Sequence, residues 1–244
     1  MKTLHLMLLA MSLIALGIIP CVSENTASPM VIQDSLQSAI NAGGTVYLKE
    51  GIYKQTVKID KPVTLVGAGP GKTFIDGDKK GSVFTIGKSN PDIDVKLSGM
   101  TIQGGAGKFG GGINNSGRLI VDDTTISGNT AEFGGGIYIE KDTIARATIN
   151  NVNIVGNSVT YDGAGVYNCG GTLIINSGTI TENTAEVGAG VFNDFGTMVV
   201  NGGTITKNTA TKRCGGVLSL GDMDLRGGSI VDNALGNVYT PSLT

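Results

Sequence analysis

The chain has no tryptophan, a single histidine, three cysteines, six prolines and 5% aromatic residues in 244, and only 16% of it is charged. An ordinary globular chain carries about 25% charged residues. The lone histidine, His5, stands among the first few residues, so downstream chemistry that needs an imidazole (a His-based triad, a His-containing zinc site, a His proton relay) is excluded once that segment is removed. Sparse charge beside 40% apolar residues argues against disorder. The basic side chains are scattered and the formal net charge is -2, so no stripe tracks a phosphate backbone and no nucleic-acid partner is expected. What is abundant is glycine, with 39 residues at no fixed third position, which rules out collagen. Glycine also costs a helix about 1 kcal/mol per residue relative to alanine, which disfavours a bundle. The composition is that of a β-rich, turn-rich protein.

Lys2, an apolar run from Leu4 to Ile19, then Pro20-Cys21-Val22-Ser23 and a first acid at Glu24 give the basic, apolar, small-residue order of a secretory leader. The run is shorter than the ~20 residues a membrane-spanning helix needs. Residues 1–23 are therefore read as a signal peptide and 24–244 as one domain. Two exits remain open. Cleavage before Glu24 gives a secreted or cell-surface protein, whereas lipid attachment at Cys21 gives an anchored lipoprotein, the one route by which membrane contact is expected.

From residue 109 the chain repeats itself about every 25 residues. One motif is a glycine before a β-branched residue: Gly112-Ile113, Gly136-Ile137, Gly165-Val166, Gly190-Val191 and Gly216-Val217. A second ends in Asn129, Asn157, Asn183, Asn208 and Asn233, and ten residues before each stands Leu119, Ala147, Leu173, Met198 or Met223. Units this small cannot bury their own apolar faces, so they must stack and share one interior. Period-two alternation points Ile137, Val166, Val191, Leu173, Ile175 and Ile180 inward, and Tyr138, Tyr167, Phe192, Ile174, Thr179 and Thr181 outward. The expected architecture is an all-β, right-handed parallel β-helix of roughly eight coils, three strands per coil, at about 4.8 Å rise. The asparagines, with a second column Asp122, Asn150, Asn176 and Asn201, are read as amide ladders at two corners. The corner glycines are read as supplying positive φ or close packing, and Glu182, Lys207 and Asp232 as a charge-complementary column. Asp34 to Gly43 reads as a short capping helix over the open end.

Ala39-Ile40, Gly44-Thr45-Val46-Tyr47-Leu48, Gly51-Ile52-Tyr53, Val57-Lys58-Ile59 and Val63-Thr64-Leu65-Val66-Gly67 resemble the entry coil of pectate-lyase-like right-handed β-helix proteins. Residues 109–237 resemble the polymorphic outer-membrane-protein repeat, with Ile-x-x-Asn where that repeat has Phe-x-x-Asn and Gly-Gly-Gly-Ile or Gly-Ala-Gly-Val where it has Gly-Gly-Ala-Ile. The resemblance implies an adhesin-type surface or secreted protein. A membrane barrel, which ends the chlamydial members of that family, is not expected here.

The pectate-lyase-like fold also carries lyases and hydrolases, so activity must be argued from a site. Asp122 and Asp123 are adjacent and point to opposite faces of a strand. Asp224 and Arg226 share an outward face as an ion pair, and Asp76-Gly77-Asp78 reads as a turn without the further oxygens calcium requires. No position is assigned a catalytic role, and no metal or cofactor is expected. Cys169 and Cys214 fall two coils apart, beyond the ~7 Å reach of a disulfide, and are expected to be free thiols. The sequence-level expectation is a non-enzymatic, adhesin-like protein that binds a glycan or a protein through an outer strand face. The ligand-binding candidates are Tyr138, Tyr167 and Phe192, in a row with Asn114 and Leu218. The alternative is a polysaccharide lyase or hydrolase.

Overall fold

The computed structural model describes residues 36–141 and 144–241, and the segment 1–23 with Cys21, together with Asp34, lies outside them. Short strands pair in parallel into three sheets of eight strands and one of four. Sheet 1 runs from Gly44–Tyr47 through Asp94–Ser98, Arg118–Asp122, Arg146–Asn150 and Thr172–Ile175 to Asp222–Leu225. Sheet 2 runs from Gly51–Lys54 to Ser229–Val231, and sheet 3 from Val57–Ile59 to Val238–Tyr239. The chain visits these faces in turn and winds a parallel β-solenoid of about seven turns.

Alternation builds the interior. Leu119, Ala147, Leu173 and Met198 of sheet 1 stack in register, as do Ile102, Ile126, Ile154, Ile180 and Ile205 of sheet 2 and Ile113, Ile137, Val166, Val191 and Val217 of sheet 3. All are buried in one continuous core, where a large aliphatic contributes about 1.5–3 kcal/mol. Each coil completes the burial of the one before it.

The corners explain the repeat. Asn129, Asn157, Asn183 and Asn208 are fully buried; Asn157, Asn183 and Asn208 each accept the backbone and side-chain amides of the preceding Asn on Oδ1, and Asn129 Oδ1 accepts the Gly105 backbone amide. Each also donates through Nδ2 to the carbonyl of Ile102, Ile126, Ile154 or Ile180. The residue before the ladder asparagine has positive φ throughout: Gly128 and Gly156 at 62°, Glu182 at 57°, Lys207 at 55°, Asp232 at 53°. Among the described residues none of these three charged residues belongs to an ion pair, so the column is set by backbone conformation rather than by charge pairing. At the glycine corner the two readings separate: a Cβ on Gly165 would stand 2.3 Å from the Gly190 carbonyl oxygen, so close approach between coils, not positive φ, requires glycine there.

The helix Leu36–Ala42 closes one end, burying Leu36 and Ile40, and Gly43 at φ 77° stops it. Gln37 serves the edge strand directly. Its Nε2 donates to the Lys58 carbonyl at 2.8 Å and its Oε1 accepts the Lys58 amide at 2.9 Å, so a side chain replaces the missing strand partner.

The three-strand coil holds in the entry coils and gains a strand in the middle ones. Gly51–Lys54, Thr73–Asp76 and Thr101–Gln103 are strands of sheet 2 in the entry coils, which therefore keep the same plan as the later ones. In the middle coils a fourth strand follows the ladder asparagine, forming sheet 4 from Thr130–Phe133, Ser158–Asp162, Thr184–Val187 and Thr209–Arg213. Ala164, Ala185, Ala189 and Ala210 pack with Val159 behind it. Small side chains let this extra strand lie close against the corner.

Candidate functional site

The aromatic row is placed by sheet 3, where Tyr138, Tyr167, Phe192 and Leu218 align in register with their side chains directed away from the main core. They do not face solvent. Tyr138 and Tyr167 are 7% exposed and Phe192 8%, because sheet 4 stands over them. Phe133 meets the Tyr167 ring edge-on at 5.5 Å, Phe109 lies 4.9 Å from Tyr138, and Val187 and Cys214 complete a second apolar cluster. Tyr138 stacks on Tyr167 at 5.3 Å, and Tyr167 meets Phe192 edge-on at 5.1 Å. The outward direction read from alternation holds, but a second core takes the place of the open platform expected from it. A signal was present in Asn129-Thr130-Ala131, Asn183-Thr184-Ala185 and Asn208-Thr209-Ala210, each followed by residues able to continue a strand.

Titratable groups collect where sheets 3 and 4 meet. The Tyr167 hydroxyl donates to Asp194 Oδ2 at 2.7 Å. Burial first, and that bond second, push its pKa above the ordinary tyrosine value. Burial and the Cys169 thiol do the same for Tyr138. Asp162 is raised by burial and then by the nearby charges of Glu186 and Asp194, with Lys212 opposing them. Among the described residues no three acids or thiols converge as metal ligands. Cys169 and Cys214 are free thiols.

Besides hollows at the helix end around Gln37 and Lys58 and around Leu225 and Val238, a concavity lies on sheet 1. Its volume is about 310 Å³, and it lies over the outward side chains of neighbouring strands. Asp94, Arg118 and Arg146 form one column in register, and Lys96, Ile120 and Thr148 the next. Arg118 is gripped by Asp94 through Nε at 2.7 Å and Nη2 at 3.0 Å, and by Asp92 through Nη1. Those bonds raise the guanidinium pKa and hold Asp94 below the usual carboxylate range. Lys96 reaches Asp122 at 2.6 Å, and Asp122 also accepts Asn150 Nδ2 at 2.5 Å, the start of the exposed ladder continued by Asn176 and Asn201. Ile120, 41% exposed, supplies an apolar floor between the charged walls. Asp122 and its ladder apart, no sequence pattern singles out these residues, because the concavity is made by neighbours one coil apart, a relation that no local pattern carries.

The other acids singled out in the sequence are structural. Asp76 Oδ1 accepts the Asp78 amide at 2.8 Å in a turn, and Arg226 pairs with Asp224 at 2.7 Å. The outward residues of sheet 2 from Thr101 to Val231, including Thr179, Thr181, Thr204 and Thr206, carry no charge, in contrast to sheet 1.

Fold and faces together define the class: a parallel β-solenoid with a capped end, a covered aromatic row and a charged, concave outer face. Comparison with family profiles, with curated proteins and with solved structures gives no match for this chain.

Proposed function

We propose that this chain is an exported, non-enzymatic solenoid of the adhesin type that binds a glycan or a protein through the outer face of sheet 1. The observation that carries the reading is the concavity over Arg118, Ile120 and Arg146, which pairs an exposed apolar floor with fixed polar walls, the makeup of a recognition surface. Its carboxylates are engaged: Asp92 and Asp94 hold Arg118, and Asp122 holds Lys96. Acid–base hydrolysis needs two carboxyl groups free to face one bond, and that is the feature this face does not offer. The leader supports secretion, or anchorage through a lipid at Cys21. A right-handed winding is part of the same reading, since crossovers between parallel strands are nearly always of that hand.

The test is retention of the chain, freed of residues 1–23, on arrays of glycans and surface proteins, with Ile120→Asp as the disabling variant. Retention that the variant abolishes is expected. Release of unsaturated product from uronate polymers with calcium would favour the lyase alternative instead, and an array with no retained partner would overturn the binding reading.

A further inference from the structure

We infer that the sheet 1 concavity takes a sugar bearing a single acidic substituent, a carboxylate or a sulfate, with Arg146 as the group that receives it. This rests on the glycan-binding reading above and names its ligand class. Arg118 and Arg146 sit directly opposite each other in adjacent strands, about 4.8 Å apart along the stack. Like charges in that position repel, so each needs a counter-charge. Arg118 has two, Asp92 and Asp94, and Lys96 has Asp122. Arg146 has no carboxylate within ion-pair distance among the described residues, although it is exposed and lines the concavity. Among the described residues it is the one cation of the three without a counter-charge.

Its surroundings favour an anion. On its far side the register places Thr172, and two residues along the same strand stands Thr148, so hydroxyl donors rather than acids flank the guanidinium. A carboxylate or sulfate there can accept two parallel N–H bonds from one guanidinium, the strongest geometry available to it. On the near side Ile120 offers exposed apolar surface on which the hydrocarbon face of a sugar ring can lie. One free cation implies one acidic substituent. A densely charged polymer would instead meet Asp92, Asp94 and Asp122 and be repelled.

The experiment titrates the full chain with three disaccharide probes of equal length: one carboxylated, one sulfated and one neutral. Variants are Arg146→Gln, Arg146→Lys and, at a distant corner, Lys207→Gln, with the far-ultraviolet circular dichroism spectrum and melting temperature of each as the check on folding. The expected result is that at least one charged probe binds more tightly than the neutral one. Arg146→Gln then weakens it about tenfold or more, the loss of one charged hydrogen-bond donor, while Arg146→Lys keeps part of the affinity and Lys207→Gln keeps all of it. Which acidic probe binds identifies the substituent. Unchanged affinity for both charged probes in Arg146→Gln would overturn the assignment. So would equal binding of all three probes, or binding of the neutral one alone, and in those cases the glycan reading survives. Failure of all three to bind overturns the assignment, and the glycan and protein arrays then decide the broader binding reading separately.

Discussion

Asn183 donates its side-chain amide to Asn208 Oδ1 at 2.9 Å while its own Oδ1 accepts the backbone and side-chain amides of Asn157, both at 3.0 Å. With the donation to the Ile154 carbonyl at 3.0 Å, one buried side chain serves three coils.

Asn183→Ala strands the Asn157 amide and the Ile154 carbonyl inside the protein. Each buried orphan costs about 1–3 kcal/mol, so a loss of about 3 kcal/mol or more is expected in urea unfolding. Asn176→Ala, on the exposed ladder, should cost about 1 kcal/mol or less because water replaces its partners. Equal losses at the two sites would show that the buried ladder has no special weight.

Glycine at two corners should respond in opposite ways. Gly165→Ala drives a methyl group against the Gly190 carbonyl and the Ile180 side chain, and overpacking of this kind costs about 1–3 kcal/mol or more. Gly156→Asn meets open space at φ 62°, where Glu182 and Lys207 already stand in later coils, and should shift the melting temperature little.

Truncating the covered aromatic row should unfold the protein rather than merely silence it. Tyr167→Ala is expected to lose about 3–5 kcal/mol as a buried aromatic, whereas Tyr167→Phe, which forfeits only the Asp194 bond, should lose about 1 kcal/mol. A Tyr167→Ala variant with unchanged denaturant midpoint and lost glycan retention would restore the row as a binding platform.

The raised pKa of Asp162 has a defined sign. Its folded-state value lies above its unfolded one, so the stabilisation it brings is complete below the unfolded value and is lost as pH rises through the folded value. Melting temperature should therefore fall across a window just above the ordinary carboxylate range. Asp162→Asn, which cannot ionise, should flatten that slope and raise stability at neutral pH. An unchanged slope in the variant would trace the dependence to another group.

Much of the scaffold is written locally. The ten-residue offset from Leu119, Ala147, Leu173, Met198 and Met223 to the ladder asparagines set strand, turn and inward face without any long-range information. Sheet 4 was not legible in the same way. Its strands are short, half-exposed and irregular in register, and what fixes them is an alanine cluster assembled from different coils. Nor could alternation distinguish a side chain that points away from one core from one that enters another, which is why Tyr138, Tyr167 and Phe192 read as surface.

By itself the sequence determined that this chain stacks: a period near 25, β-branched residues alternating with polar ones, and asparagine at each lap from Asn129 onward leave no other way to bury so many aliphatics. Tertiary structure alone decided which outer surfaces are open. Exposure depends on what neighbouring coils lay over a strand, and a concavity such as that around Arg146 exists only between residues brought together by winding.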